Sequence, residues 1–187
     1  MTATSSQSAV FEKLAAFDPE SQHLQVIIET PKGRRNKYKY DERHGLFALS
    51  KVLPAGSVFP FDFGYIPSTL AEDGDPLDVL LLMEEEAFVG CMVPARLIGV
   101  IEAEQTEKGK TERNDRLIAV AVASHHYSTI QTLDQLNEEI VKEIEHFFVS
   151  YHSMEGKPFK PIGQFDAERA KQLVQQGMTR FQQKQAS

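Results

Sequence analysis

Leu70-Ala-Glu-Asp-Gly-Asp-Pro-Leu-Asp-Val-Leu-Leu-Leu-Met83 joins an acidic turn directly to an apolar strand. Gly74 and Pro76 shape the turn, because glycine accepts a positive φ and proline holds φ at about −65°. The strand begins at Leu77, so Asp78 falls inside it, where a charge needs a partner. Asp73, Asp75 and Asp78 lie within a span of six residues. Carboxylates this close repel one another unless a cation or a proton sits between them. Oxygen-only clusters suit hard divalent ions such as Mg²⁺. A solvated acidic turn is the simpler alternative, and the placement of Asp78 argues against it.

Outward from this stretch the chain continues as short strands and turns. Residues 7–17 have the spacing of a short helix, with Val10, Leu14 and Phe17 on one side. Leu24–Thr30 is rich in β-branched residues and ends at Pro31, which predicts a strand with Glu29 near its end. Lys37–Tyr40 and Leu46–Lys51 pair as a hairpin across Glu42-Arg-His-Gly45. Phe59, Phe61, Phe63 and Tyr65 alternate, so a short strand presents four rings on one face, with Asp62 on the other. Met92–Glu104 reads as a long strand with Gly99 marking a bulge. Gln105–Arg113 reads as a polar loop around Gly109, and Arg116–Ala123 as the returning strand. Strands joined by short turns, with no helix between them, signal a closed antiparallel barrel rather than a doubly wound sheet.

Helices come last. Thr132-Leu-Asp-Gln135 has the form of a capping box, and Leu133, Leu136, Ile140, Val141, Ile144, Phe147, Phe148 and Tyr151 keep helical spacing to an end near Gly156. A second helix starts near Asp166 and uses Leu173, Val174, Met178 and Phe181, with a frayed tail over 182–187. The whole is expected to be one domain, residues 1–187, with the barrel and long helix in 20–160 and the C-terminal helix in 165–183.

Lys and Arg number 20 against 27 Asp and Glu, a formal charge of −7. That balance opposes broad nucleic-acid binding, while a small anionic substrate needs only a local reversal of sign. No run approaches the roughly 20 apolar residues of a membrane span. Met1–Ser8 has no basic segment followed by an apolar one, and the single cysteine, Cys91, precludes an internal disulfide. A cytoplasmic protein with no membrane partner is expected.

Several chemistries fail on spacing. Placed on a calcium loop starting at Asp73, Leu77 takes the ligand position and Asp78 the obligatory glycine. Six histidines and one cysteine show no zinc-ligand spacing. There is no Gly-Lys-Ser/Thr phosphate loop and no nucleophile elbow. The remaining chemistry is metal-assisted attack of water on phosphorus, with lysines taking up phosphate charge.

Asp73-Gly-Asp-Pro-Leu-Asp78 resembles the DGDP-x-D motif of family I soluble inorganic pyrophosphatases, and the likeness runs in order through about residues 23–160. Glu29-Thr-Pro31 resembles the family's Glu-Ile-Pro, and Lys37-Tyr38 its Lys-Tyr. Lys51 stands where the family has a phosphate-binding arginine. Phe59-Pro60 and Gly64-Tyr65 resemble its Tyr-Pro-x-Asn-Tyr-Gly-Tyr segment, and Tyr151 and Lys157 match a tyrosine and a lysine near the end of its long helix. The resemblance implies an α+β, mainly β fold, an OB-like closed antiparallel barrel flanked by helices. It implies Mg²⁺-dependent hydrolysis of pyrophosphate, with Asp75 helping to deprotonate water. Asp73, Asp78, Asp115 and Glu29 would hold metal, and Lys37, Lys51, Tyr151 and Lys157 would bind substrate. It also implies a homo-oligomer.

The departures define the alternatives. Phe63 replaces a tyrosine, Lys39 a glutamate and His152 a lysine, and Lys51 lacks the bidentate fork of arginine. Asn114 falls at a metal aspartate position, with Asp115 one residue out of phase, so Asp115 serves only if a bulge realigns it. Glu104, Glu107 and Glu112 are conceivable substitutes for its partner. One alternative is a Mg²⁺-dependent hydrolase of polyphosphate or a nucleotide. Another is a non-catalytic OB-type module that binds single strands through Arg34, Arg35, Lys37, Tyr38 and Tyr40.

Overall fold

The computed structural model describes residues 14–186, with strands β1 (Leu24–Thr30), β2 (Asn36–Asp41), β3 (Leu46–Val52), β4 (Asp62–Ile66), β5 (Leu77–Leu82), β6 (Met92–Glu107), β7 (Lys110–Arg113), β8 (Arg116–Ala121) and β9 (Phe159–Asp166). Two α-helices, α1 (Glu138–Met154) and α2 (Ala167–Gln185), complete it. The expected helix over 7–17 lies mostly outside the described residues. At its end Phe17 forms an isolated bridge with Leu24 instead.

Five strands close on themselves in the order β1, β4, β5, β8, β6 and back to β1. The expected barrel is therefore present, and one of its pairings differs from the all-antiparallel expectation. β5 and β8 run parallel, Val79 opposite Leu117 and Leu82 opposite Val120, while the other four pairs are antiparallel. A parallel pair needs a long crossover, and the 33 residues between the two strands, which include the long β6, supply it. The bulge expected at Gly99 is there, since the β6–β8 register slips between Leu97 and Gly99. A Cβ on Gly99 would lie 2.5 Å from the Phe165 carbonyl oxygen and 2.8 Å from Leu133 Cβ, so only glycine lets the three segments meet.

Both faces of the barrel wall are buried, which explains why β5 and β8 read as continuous apolar runs rather than alternating ones. Val79, Leu81, Leu117, Ala119 and Ala121 join Val26, Ile28, Ile66 and Ala95 in a cluster drawn from all five strands, with Ala170, Leu173 and Val174 of α2 added to it. Their neighbours on the other face, Leu80, Leu82, Ile118 and Val120, pack with Phe63 against Val141, Ile144 and Phe148 of α1. By the same alternation Asp78 and Arg116 fall on the α1 face, near the helix C-terminus.

Four segments differ from expectation. Gln105–Arg113 is not a loop: β6 runs on to Glu107 and pairs with β7 across a turn at Lys108-Gly109, both at positive φ. The capping box closes only a 3₁₀ turn, Leu133–Gln135, because Leu136 is extended at ψ 151°, and Asn137 caps α1 afresh by accepting from Glu139 N. Phe159–Asp166, between the two helices, forms β9 against β6. The tail expected to fray from 182 stays helical to Gln185. The ends of both α-helices otherwise match, with Asp166 accepting from Arg169 N at the start of α2 and Gly156 at φ 68° just past α1.

Candidate active site

Where the β2–β3 hairpin, the 67–78 turn, the β6–β7 end and the C-terminus of α1 converge, they enclose a cavity of about 510 Å³. It collects Glu29, Lys37, Lys51, Asp73, Asp75, Asp78, Tyr151 and Lys157, eight of the nine site residues expected from sequence. Asp115, the ninth, is not in its wall but lines an adjoining hollow together with Asp73 and Asp78.

The acidic turn is held from three directions. Gly74 adopts φ 88°, Asp73 Oδ1 accepts from Asp75 N at 3.1 Å, and Ala71 N donates to the Asp75 carbonyl at 2.7 Å. Helix α2 pins its entrance, since Leu70 N donates to the Gly177 carbonyl and Arg180 Nε to the Leu70 carbonyl at 2.8 Å. Asp78 follows as the second residue of β5, opposite Tyr65 of β4.

Cations face these carboxylates. On β2, Lys37 and Lys39 share a face by alternation, and Lys51 of β3 stands opposite Lys37. Lys37 lies 4.8 Å above the Phe63 ring and Lys51 5.3 Å from that of Tyr151. Burial holds the Lys37 ammonium below its ordinary pKa, opposed by Asp78 and Glu29. Lys39 Nζ binds both oxygens of Asp75, at 2.9 and 2.8 Å. Lys51 pairs with Glu155, and Lys157 with Glu107 at 2.8 Å.

The deepest charge is Arg116, only 2% exposed. Its Nη1 reaches Asp78 at 2.8 Å and donates to Asn114 Oδ1, and its guanidinium lies 4.8 and 5.3 Å from the Phe148 and Phe159 rings. Nη2 sits 3.3 Å from His152 Nε2. Burial, and then Arg116 itself, push His152 down to about 2. The imidazole is therefore neutral, and because arginine can only donate, Nε2 is the acceptor and Nδ1 carries the proton.

Glu29 stands at the end of β1, 7% exposed, accepting weakly from Tyr40 N at 3.4 Å. Burial, against the pull of Lys37, raises it to about 7. Asp73 also lies above its ordinary value, first because the surrounding walls displace water and then because Asp78 and Asp75 crowd it. A buried tyrosine is harder to ionise, and Tyr151 is pushed up accordingly, with Glu155 adding to the effect.

These features test whether a divalent cation fits. On the turn side the fit is good, because Asp73, Asp75 and Asp78 offer only oxygen donors and their mutual repulsion favours a bound cation. Two of the three are meanwhile engaged by Lys39 and Arg116, and among the described residues no three acidic, His or Cys side chains already stand arranged around a common point. Opposite, the fit fails. Asn114 spends its amide on Gln105 Oε1. Asp115 accepts through Oδ1 from Ala103 N at 3.0 Å and Arg113 Nη2 at 2.7 Å, and lines a smaller adjoining hollow of about 120 Å³ whose wall also includes Asp73 and Asp78. No bulge realigns it: β8 starts at Arg116 and is in unbroken register with β5. Of the conceivable substitutes, Glu107 and Glu112 line the large cavity but pair with Lys157 and Lys110, while Glu104 is not in its wall.

The family model for inorganic pyrophosphatase matches residues 26–182. The chain belongs to the inorganic pyrophosphatase family. It is 36% identical to the inorganic pyrophosphatase of Methanosarcina mazei over 83% of this chain and 90% of that protein. It is equally identical to that of Halalkalibacterium halodurans over 87% and 97%. Among solved structures, the inorganic pyrophosphatase of Thermus thermophilus superposes with a TM-score of 0.84 at 33% identity, covering 93% of this chain and 99% of that one.

Within this family fold the sequence left four participants unseen. Lys39 stands in the sequence as a departure from the family's glutamate, and its two-residue offset from Lys37 places it on the same face. Arg116 reads from sequence only as the start of a strand, and no local pattern marks Glu155 or Arg113. Their roles depend on contacts between distant segments, which periodicity does not report. Asp62, on the strand face opposite the ring ladder, is structural: its carboxylate accepts from Lys32 N at 2.7 Å and Ala87 N at 3.0 Å. The basic stretch proposed for single-strand binding is divided, with Arg34 paired to Glu86, Arg35 donating to the Leu53 carbonyl, and Lys37 turned into the cavity.

Proposed function

We propose that this cavity binds inorganic pyrophosphate and hydrolyses it to two phosphates with the help of a divalent cation, Mg²⁺. The observation that carries this reading is the meeting of the Asp73–Asp78 carboxylates with Lys37, Lys51, Lys157 and Arg116 in one cavity of about 510 Å³. Asp73, Asp75 and Asp78 are the residues that would hold the cation, with Glu29 near by. When bound, such an ion supplies Lewis acidity and a water of lowered pKa.

The chain's own residues do the rest. Lys37, Lys51 and Lys157 offer positive charge to phosphate oxygens, and Tyr151, kept protonated by burial, can donate a hydrogen bond. Asp75, whose side chain is 59% exposed against 26% for Asp78, is placed to take a proton from the attacking water. Arg116, itself in contact with neutral His152 and with Asn114, anchors Asp78 in the cavity wall. The lone cysteine and the absence, among the described residues, of a helix long and apolar enough to cross a membrane are compatible with a cytoplasmic site of action. A homo-oligomer is the expected assembly for a member of this family.

Phosphate release should be measured with pyrophosphate, tripolyphosphate and a nucleoside triphosphate side by side, with Mg²⁺ and with chelator. Pyrophosphate is expected to be the best substrate, and Asp75→Asn to lower its turnover by about two to four orders of magnitude, the range of general-base catalysis. Unchanged turnover in Asp75→Asn would remove the mechanism. The departures at Phe63, Lys39 and His152 favour one second reading, a longer phosphoanhydride, and preferential cleavage of tripolyphosphate would establish it.

A further inference from the structure

We infer that Lys39 is a displaceable internal counter-ion: it holds Asp75 in the resting protein, yields it to a divalent cation, and then lends its charge to a bound phosphate oxygen. This rests on the metal-assisted reading of the cavity and adds a residue-specific coupling to it. Lys39 Nζ contacts both Asp75 oxygens, and among the described residues it is the only cation paired with that carboxylate. With the ammonium on both oxygens, a metal ion at Asp75 meets its repulsion and competes with it for the same carboxylate, so binding of one weakens the hold of the other.

The two cations on the acidic turn differ in how freely they can leave. Arg116 is 3% exposed at its side chain, tied to Asn114 and His152, and lies against two phenylalanine rings. It is a permanent counter-charge to Asp78. Lys39 and Asp75 are 52% and 59% exposed. Exposed pairs are weak, and the four-carbon lysine stem swings on rotatable bonds with its three donors intact. With both cations in place the three aspartates keep a single net negative charge, a poor site for a divalent ion. Release of Lys39 raises it to two. The freed ammonium still lines the cavity beside Lys37, where a phosphate oxygen is its natural partner.

Two titrations of the full chain test this: Mn²⁺ by calorimetry without substrate, and methylenediphosphonate, a non-hydrolysable pyrophosphate mimic, at saturating Mn²⁺. Lys39→Gln is expected to tighten Mn²⁺ about two- to fivefold, the range of an exposed pair, and to weaken methylenediphosphonate by at least as much. Lys39→Arg, which keeps the charge, should stay near wild type in both. A lysine that merely supported the hairpin would not shift the two ligands in opposite directions. Mn²⁺ affinity unchanged or weaker in Lys39→Gln overturns the proposal, as does unchanged binding of the mimic. Failure of the pyrophosphatase reading would appear separately, as no phosphate release by the wild type, because neither titration depends on turnover.

Discussion

Arg116→Met is the most searching test of how the fold supports the site. The substitution leaves Asp78 without its 2.8 Å partner, His152 Nε2 and Asn114 Oδ1 without donors, and the Phe148 and Phe159 rings without their cation. Removing one member of a buried pair costs about 3–5 kcal/mol, and a partly desolvated cation–π contact adds roughly 0.5–2. Three effects offset this. The Asp78 side chain is 26% exposed and regains water, and repulsion between Arg116 and Lys37 disappears, while methionine keeps apolar contact with the rings. A net loss of about 2–3 kcal/mol remains. For a domain of this size each kcal/mol moves Tm by about 2–4 °C, so a fall of roughly 5–10 °C is expected. Differential scanning calorimetry in metal-free buffer at pH 7 reads it directly. Adding Asp78→Asn should recover part of the loss, because the uncompensated charge goes with it. A Tm within a degree of wild type for Arg116→Met would refute the view that Arg116 organises this face of the barrel.

Further outcomes follow from the same contacts. His152, lowered in the folded state from 6.5 to about 2, binds fewer protons folded than unfolded between those values, so stability should fall as pH drops below 6.5; urea titrations should show that acid slope reduced in His152→Gln. Gly64→Ala should prevent folding, since its Cβ would sit 2.0 Å from the Ile27 carbonyl oxygen in the β1–β4 pair, and soluble yield would report it. Chelation with EDTA should abolish phosphate release while shifting Tm by only about a degree or two, because Lys39 and Arg116 already neutralise two of the three aspartates; a collapse in Tm would show that the turn depends on metal to fold.

Much of the site was legible because strands constrain side chains simply. A period of two put Lys37 and Lys39 on one face and Asp78 on the face opposite Val79, and the DGDP spacing announced a turn that crowds three acids. Legibility ended where one residue's role depended on another segment. Asp115 is a metal-ligand candidate by residue type but one position out of phase, and Ala103 N and Arg113 engage its Oδ1 outside the large cavity. The strand β9 went unseen because Phe159-Lys-Pro-Ile-Gly-Gln-Phe-Asp166 has proline and glycine inside it, tolerable on a strand that pairs along one edge with β6.

By itself the sequence determined a predominantly β barrel, two terminal helices, the acidic turn and the basic face of the hairpin that meets it, since local spacing dictates all of these. Only the tertiary structure decided the parallel β5–β8 closure, the failure of the Asn114–Asp115 side, and the pairing of Asp75 with Lys39 and Asp78 with Arg116. The two ion pairs span 36 and 38 residues of chain, and which charge neutralises which is a property of distance in space, not of order along the backbone.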